Sequence, residues 1–139
     1  MNKIIALFFL LSTILCSQPR IVESGVLFTY SKPAKSVSVC GDFNSWTRDA
    51  SRMKQDSTGL FSVVVKMKPG IYQYKLYVDS TWILDDSNPG TIENYNNSSK
   101  NSVFTLTENN EIAYHGYQPT PQGIMNDTYP KSGGTLYVN

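Results

Sequence analysis

Alternation of apolar and polar positions begins at Val26 and recurs, with breaks, to Leu106. Val26-Leu27-Phe28-Thr29-Tyr30 is the first strand-like run, and Ser31-Lys32-Pro33-Ala34-Lys35 breaks it. Ser36-Val37-Ser38-Val39-Cys40 alternates small polar with apolar residues, as a half-buried strand does. After the turn cluster Asp56-Ser57-Thr58-Gly59, a run places Phe61, Val63, Val65 and Met67 on one face. Pro69-Gly70 is a turn signal. The run from Tyr72 to Val78 is the clearest, with Tyr72, Tyr74, Leu76 and Val78 on one face and Gln73, Lys75 and Tyr77 on the other. Trp82-Ile83-Leu84 and Ser102-Val103-Phe104-Thr105-Leu106 complete the set. No segment beyond the first 17 residues carries a sustained helical period. Short strands at this spacing, separated by turn residues, predict an all-β sandwich.

The segments outside these runs have other characters. Residues 85–101 form a long Asn-, Ser- and Asp-rich loop, the kind that often carries function. Residues 107–139 hold few aliphatic side chains and read as a polar tail, within which Thr135-Leu136-Tyr137-Val138 is patterned as an extra edge strand. At the other end, Lys3 precedes an apolar run from Ile4 to Leu15. That run is short of the ~20 residues of a membrane span but fits the apolar region of a secretory signal. Residues 1–17 are therefore read as a signal peptide or lipoprotein signal, and the protein as exported: periplasmic, secreted or lipid-anchored at the cell envelope. Cys16 stands where a bacterial lipoprotein carries its acylated cysteine, although Leu15 fills a position that usually holds a small residue. A lipid at Cys16 is the one membrane contact this reading admits. With Cys16 removed or lipidated, Cys40 has no partner in the chain, and its apolar context predicts a buried thiol.

Composition narrows the function. Twelve basic residues balance eleven acidic ones, which is unlike a nucleic-acid binder. The chain has 139 residues, enough for one domain. Nine Tyr, six Phe and two Trp exceed what so small a core needs and suit a binding surface as well. Two segments stand out. In Gly41-Asp42-Phe43-Asn44-Ser45-Trp46 a strand ends and an Asx-rich corner presents Phe43 and Trp46 to opposite sides. In Tyr72-Gln73-Tyr74-Lys75-Leu76-Tyr77-Val78-Asp79, Lys75 points away from the core face, and Trp82 follows one turn later. A pyranose has an apolar C–H face and a polar rim; a flat indole covers the first, and ammonium and amide groups hydrogen-bond the second. Core packing is the competing role for each Trp.

These segments, with the Pro69-Gly70 turn, Trp82 and Asp85-Asp86-Ser87-Asn88-Pro89, resemble in the same order the family 48 carbohydrate-binding modules, including the glycogen-binding domain of the AMP-activated protein kinase beta subunit. The early-set domains that precede isoamylase and branching-enzyme barrels are also similar. The resemblance covers residues 24–106 and implies an immunoglobulin-like, early-set sandwich that binds α-glucan. It places the family's sugar-stacking tryptophans at Trp46 and Trp82 and its contact lysine at Lys75. The family's Thr-x-Asn falls on Ser99-Lys100-Asn101, so Asn101 matches and Ser99 departs mildly. The family's apolar residue in that loop has no counterpart, and Asn94-Tyr95-Asn96-Asn97 occupies the region. The resemblance moves Trp46 and Trp82 from core to ligand; Phe43 stays a core residue. Gly41 is read as needed for backbone freedom, and Asp85 as a strand terminator and turn cap.

Catalysis is not expected. Glycoside hydrolysis needs two carboxylates facing each other about 5–9.5 Å apart, whereas Asp85 and Asp86 are neighbours that point apart on an extended chain. A catalytic barrel needs about 250 residues. His115 is the only His and lies in the tail, so neither a metal site nor a Cys–His pair is expected, and no cofactor. The expectation is non-catalytic binding of glycogen, starch-like or maltooligosaccharide chains through Trp46, Lys75, Trp82, Ser99 and Asn101. The alternative is a sandwich that serves as a protein-interaction or scaffold module without sugar binding. Which side these side chains project from separates the two.

Overall fold

The computed structural model describes residues 18–94 and 99–114. Within them the chain forms β1 (Arg20–Val22), β2 (Gly25–Tyr30), β3 (Val37–Gly41), a 3-10 turn (Asp42–Asn44), β4 (Lys54–Gln55), β5 (Phe61–Val65), β6 (Gly70–Val78), β7 (Thr81–Ile83), β8 (Thr91–Glu93), β9 (Lys100–Leu106) and β10 (Ile112–Ala113). One sheet has the order β1-β2-β5-β4, and the other has β10-β9-β6-β3, with β7 paired to β6 and β8 to β9. Every pairing is antiparallel. The all-β sandwich expected from the pattern is what the chain builds.

The long strands follow their alternation. Tyr74, Leu76 and Val78 of β6 and Val37 and Val39 of β3 enter the core from one sheet, and Val26, Phe28, Tyr30 and Phe61 enter it from the other. Phe28 is the hub, with ring centroids 5.2 Å from Tyr74, 5.5 Å from Phe43 and 6.0 Å from Phe104. The contacts with Tyr74 and Phe104 are edge-on and that with Phe43 is tilted, and such pairs add about 0.5–1.5 kcal/mol each beyond area burial. Phe43 therefore packs against the core, as expected. Because β6 sends alternate side chains to opposite faces, the same register that buries Tyr74 and Leu76 turns Gln73, Lys75 and Tyr77 outward.

Three findings go beyond the sequence reading. The ladder does not stop at Leu106: Ile112 pairs with Leu106, Ala113 pairs with Thr105, and the Tyr114 hydroxyl donates to the Pro19 carbonyl. Gly41 is extended at φ −168°, a conformation open to any residue, so backbone freedom is not its role. Space is: a Cβ there would lie 2.4 Å from the Gln73 carbonyl oxygen and 2.7 Å from the Tyr74 Cβ. Asp85 does cap a turn, accepting from the Ser87 N–H and hydroxyl, but it is also buried and accepts from the Tyr74 hydroxyl at 2.7 Å. Asn88 donates to the same hydroxyl at 3.1 Å, so a polar bolt joins the start of the long loop to β6. Burial, then the Asp85 charge, raises the Tyr74 phenol well above its ordinary pKa. Residues 1–17, with Cys16 and the export reading, lie outside the described residues, as do residues 95–98 and 115–139, with His115 and Thr135–Val138.

Candidate carbohydrate-binding face

The outward row of β6 organises the site. Tyr77 faces Trp82 across the β6–β7 pair, with centroids 4.8 Å apart. A two-residue turn sets this register: Val78 pairs with Thr81, and Asp79 and Ser80 between them have φ of 47° and 69°. Both central residues with positive φ define the type I′ hairpin, whose twist matches that of its strands. The Asp79 carboxylate accepts from the Lys35 and Ser36 N–H groups and ties the turn to the start of β3. Trp82 is consequently 37% exposed although it belongs to a strand.

Trp46 reaches the same face by a different device. Its ring lies 6.3 Å from that of Trp82 at an interplanar angle of 58°, so the two indoles form an angled pair. Ser45 and Trp46 both have left-handed backbones, with φ of 53° and 58°. For a bulky residue that conformation is an outlier costing about 1–3 kcal/mol, which the surroundings must hold. Two groups hold it. Asn44 accepts from the Gly41 N–H at 3.0 Å and donates to the Val39 carbonyl at 2.9 Å and to the Ser51 hydroxyl at 3.0 Å, which closes the corner. Asp42 accepts from the Trp46 indole N–H at 3.1 Å with one oxygen and from the Gln73 N–H at 2.8 Å with the other. One carboxylate thus fixes the orientation of Trp46 to the strand that carries the rest of the site.

The polar members sit along the same row. Lys75 donates to the Ser99 hydroxyl at 3.0 Å. Asn101 donates to the Gln73 side-chain oxygen at 2.9 Å. The structure therefore brings Trp46 and Trp82 into contact, and Lys75 into contact with Ser99, while Asn101 joins the row through Gln73. Exposure differs within the set: Lys75 and Ser99 are half-buried, and Asn101 is only 4% exposed, at the floor of the face. Cys40 lies opposite Lys75 in the β3–β6 register and is fully buried. Burial first, then the Asp49 charge, pushes its thiol up to about 11, against a smaller opposing effect of Arg48. Arg48 itself is exposed, with its guanidinium carbon 5.2 Å from the Tyr77 ring centre and 5.8 Å from that of Trp82. Such a contact contributes about 0.5–1 kcal/mol at an exposed site.

Sequence reasoning did not single out Asp42, Gln73, Tyr77 or Arg48 as members of the site. Gln73 and Tyr77 were legible as outward residues beside Lys75. Asp42 and Arg48 depend on how the corner folds, which alternation does not encode. Among the described residues no cluster of His, Cys, Asp and Glu could hold a metal ion, and no helix is long and apolar enough to cross a membrane. Asp85 and Asp86 diverge: the first is buried against Tyr74, and the second is exposed and paired with Lys32.

The family described as the glycogen recognition site of AMP-activated protein kinase matches residues 24–111. FLOURY ENDOSPERM 6, a chloroplastic protein of Oryza sativa subsp. japonica, is 34% identical over 82 residues, covering 59% of this chain and 15% of that protein. The 5'-AMP-activated protein kinase subunit beta-2 of Mus musculus is 32% identical over 71 residues, 47% of this chain and 26% of the subunit. The chloroplastic PTST homolog 2 of Arabidopsis thaliana is 36% identical over 56 residues, 40% of this chain and 10% of that protein. The similarity thus spans about a quarter or less of each relative's length. The chain belongs to the family of the glycogen recognition site of AMP-activated protein kinase.

Proposed function

We propose that the outward face of β6, β7 and the Asp42–Trp46 corner binds α-glucan chains without catalysing their cleavage. The observation that carries this reading is the angled Trp46–Trp82 pair, one ring exposed and the other held in a strained backbone, beside a lysine that donates to a serine hydroxyl. Strain kept at a bulky residue points to use of that residue rather than to packing. Two inclined rings suit the curve of an α-linked glucan, whose successive units present their apolar faces at changing angles. Lys75 and Ser99 hydrogen-bond the sugar rim, and Asn101 holds Gln73 in place from below. Family membership supports the same ligand class.

The hydrogen bonds of two carboxylates support a reading of binding without turnover. Asp42 is spent on Trp46 and β6, and Asp85 on Tyr74 and Ser87, so neither faces a partner across an open cleft. The alternative, a scaffold module without sugar affinity, is separated by pull-down on insoluble starch. The protein is expected in the pellet and Trp46→Ala and Trp82→Ala in the supernatant, both folded by circular dichroism. Wild-type protein remaining in the supernatant favours the scaffold. Residues 24–106, extended by β10, are taken as the binding sandwich and residues 1–17 as an export segment, on the sequence pattern alone. Mass spectrometry of the protein from its host checks the latter: an intact, unmodified Met1 in the cytosol removes it.

A further inference from the structure

Arg48 has a guanidinium with five N–H donors. Among the described residues no oxygen accepts a hydrogen bond or ion pair from it. The neighbouring carboxylate, Asp49, is taken by Arg52 at 2.8 Å. What holds Arg48 is the pair of rings beneath it, Tyr77 and Trp82, themselves 4.8 Å apart. A guanidinium over aromatic faces leaves its N–H edge directed sideways into solvent. Arg48 thus lies beside the exposed indole of Trp82.

We propose that Arg48 is a sugar-binding residue that donates hydrogen bonds to hydroxyls of the glucose unit on Trp82, and that Tyr77 carries the binding surface one ring beyond the Trp46–Trp82 pair. This rests on the glucan reading above and lengthens its site along β6. The ligand class is a neutral α-glucan chain long enough to run past Trp82, and Arg48 is matched to hydroxyls rather than to a charged group. Arg48 is exposed, so its replacement removes no core contact. The competing role is that its stem merely covers apolar ring surface.

Calorimetric titration of maltoheptaose into the full chain decides between them, with Arg48→Ala, Arg48→Lys and Trp82→Ala in parallel and thermal melts of each. Arg48→Ala is expected to weaken binding about threefold to tenfold, the range of one or two hydrogen bonds, with the melt lowered by no more than the loss of its ring contacts. Arg48→Lys recovers only part, because an ammonium lacks the planar fork. Arg48→Ala that binds as well as or better than wild type overturns the inference, as does a lowered melt at unchanged affinity. If Trp82→Ala loses binding while Arg48→Ala does not, the glucan platform stands and this extension falls. Loss in Arg48→Ala with Trp82→Ala unaffected keeps the arginine contact and removes the stacking. A wild type that takes up no sugar overturns both.

Discussion

At the scale of the residue, Asp42 is what the account adds to the tryptophans. Its two oxygens join the Trp46 indole to the Gln73 backbone, across 31 positions of sequence. Asp42→Ala frees the indole and leaves the left-handed Trp46 without its anchor. It is expected to weaken maltoheptaose binding about threefold to thirtyfold, the net worth of one or two solvent-exposed hydrogen bonds. The near-ultraviolet tryptophan signal should change alongside, and unchanged affinity with a changed signal would separate orientation from binding. Cys40 gives a second test. With its thiol at about 11, about one in a thousand is ionised at pH 8, so a bulky thiol reagent should label it only as fast as the domain unfolds. Labelling within the dead time on folded protein contradicts its burial. Trp46, Trp82 and Lys75 are singled out by the family resemblance, because an indole near a turn reads by itself as a core residue as readily as a ligand contact. Asp42 was not, because an Asp in an Asx-rich corner reads equally as a turn residue.

At the scale of the element, the long strands were legible and the short ones were not. β2, β3, β5, β6 and β9 carry enough alternation to show a face. β1, β4, β8 and β10 have two or three residues each, too few for a period, and exist because a neighbouring strand offers unpaired backbone. The β6–β7 hairpin is the element on which the site depends. Its turn uses Asp79 and Ser80 where glycine would meet less steric cost, so Ser80→Gly is expected to stabilise the domain by about 1 kcal/mol. A lower melting temperature would show that the Ser80 side chain matters more than its backbone. Gly41→Ala should do the reverse: the added methyl meets strand β6 and costs about 1–3 kcal/mol. The role of Gly41 was misread because close approach between two strands has no signature in either strand alone.

At the scale of the whole molecule, one sheet register serves both stability and recognition. The alternation that buries Tyr74, Leu76 and Val78 sets Gln73, Lys75 and Tyr77 in a row outside, and the hairpin and the corner bring one tryptophan each to that row. The sequence reading ends the sandwich at Leu106, and β10 continues the ladder beyond it, because Ile112-Ala113-Tyr114 is a single apolar triplet in a polar stretch, too short to show a period. Ile112 and Tyr114 pack against the core, so truncation after Leu106 should lower stability by about 2–3 kcal/mol, from partial burial of two large side chains. A truncation that melts like the full chain would make β10 dispensable. The central claim is that the Trp46–Trp82 pair is a glucan platform rather than a piece of the core. Titration of maltoheptaose into Trp82→Ala by calorimetry tests it most directly, since Trp82 is exposed and its loss should leave the fold intact. A loss of about 1–3 kcal/mol in binding is expected, the range of an aromatic anchor, in a variant that still folds cooperatively with its melting temperature lowered only by the lost ring contacts. Full binding by that variant, or its failure to fold, would contradict it.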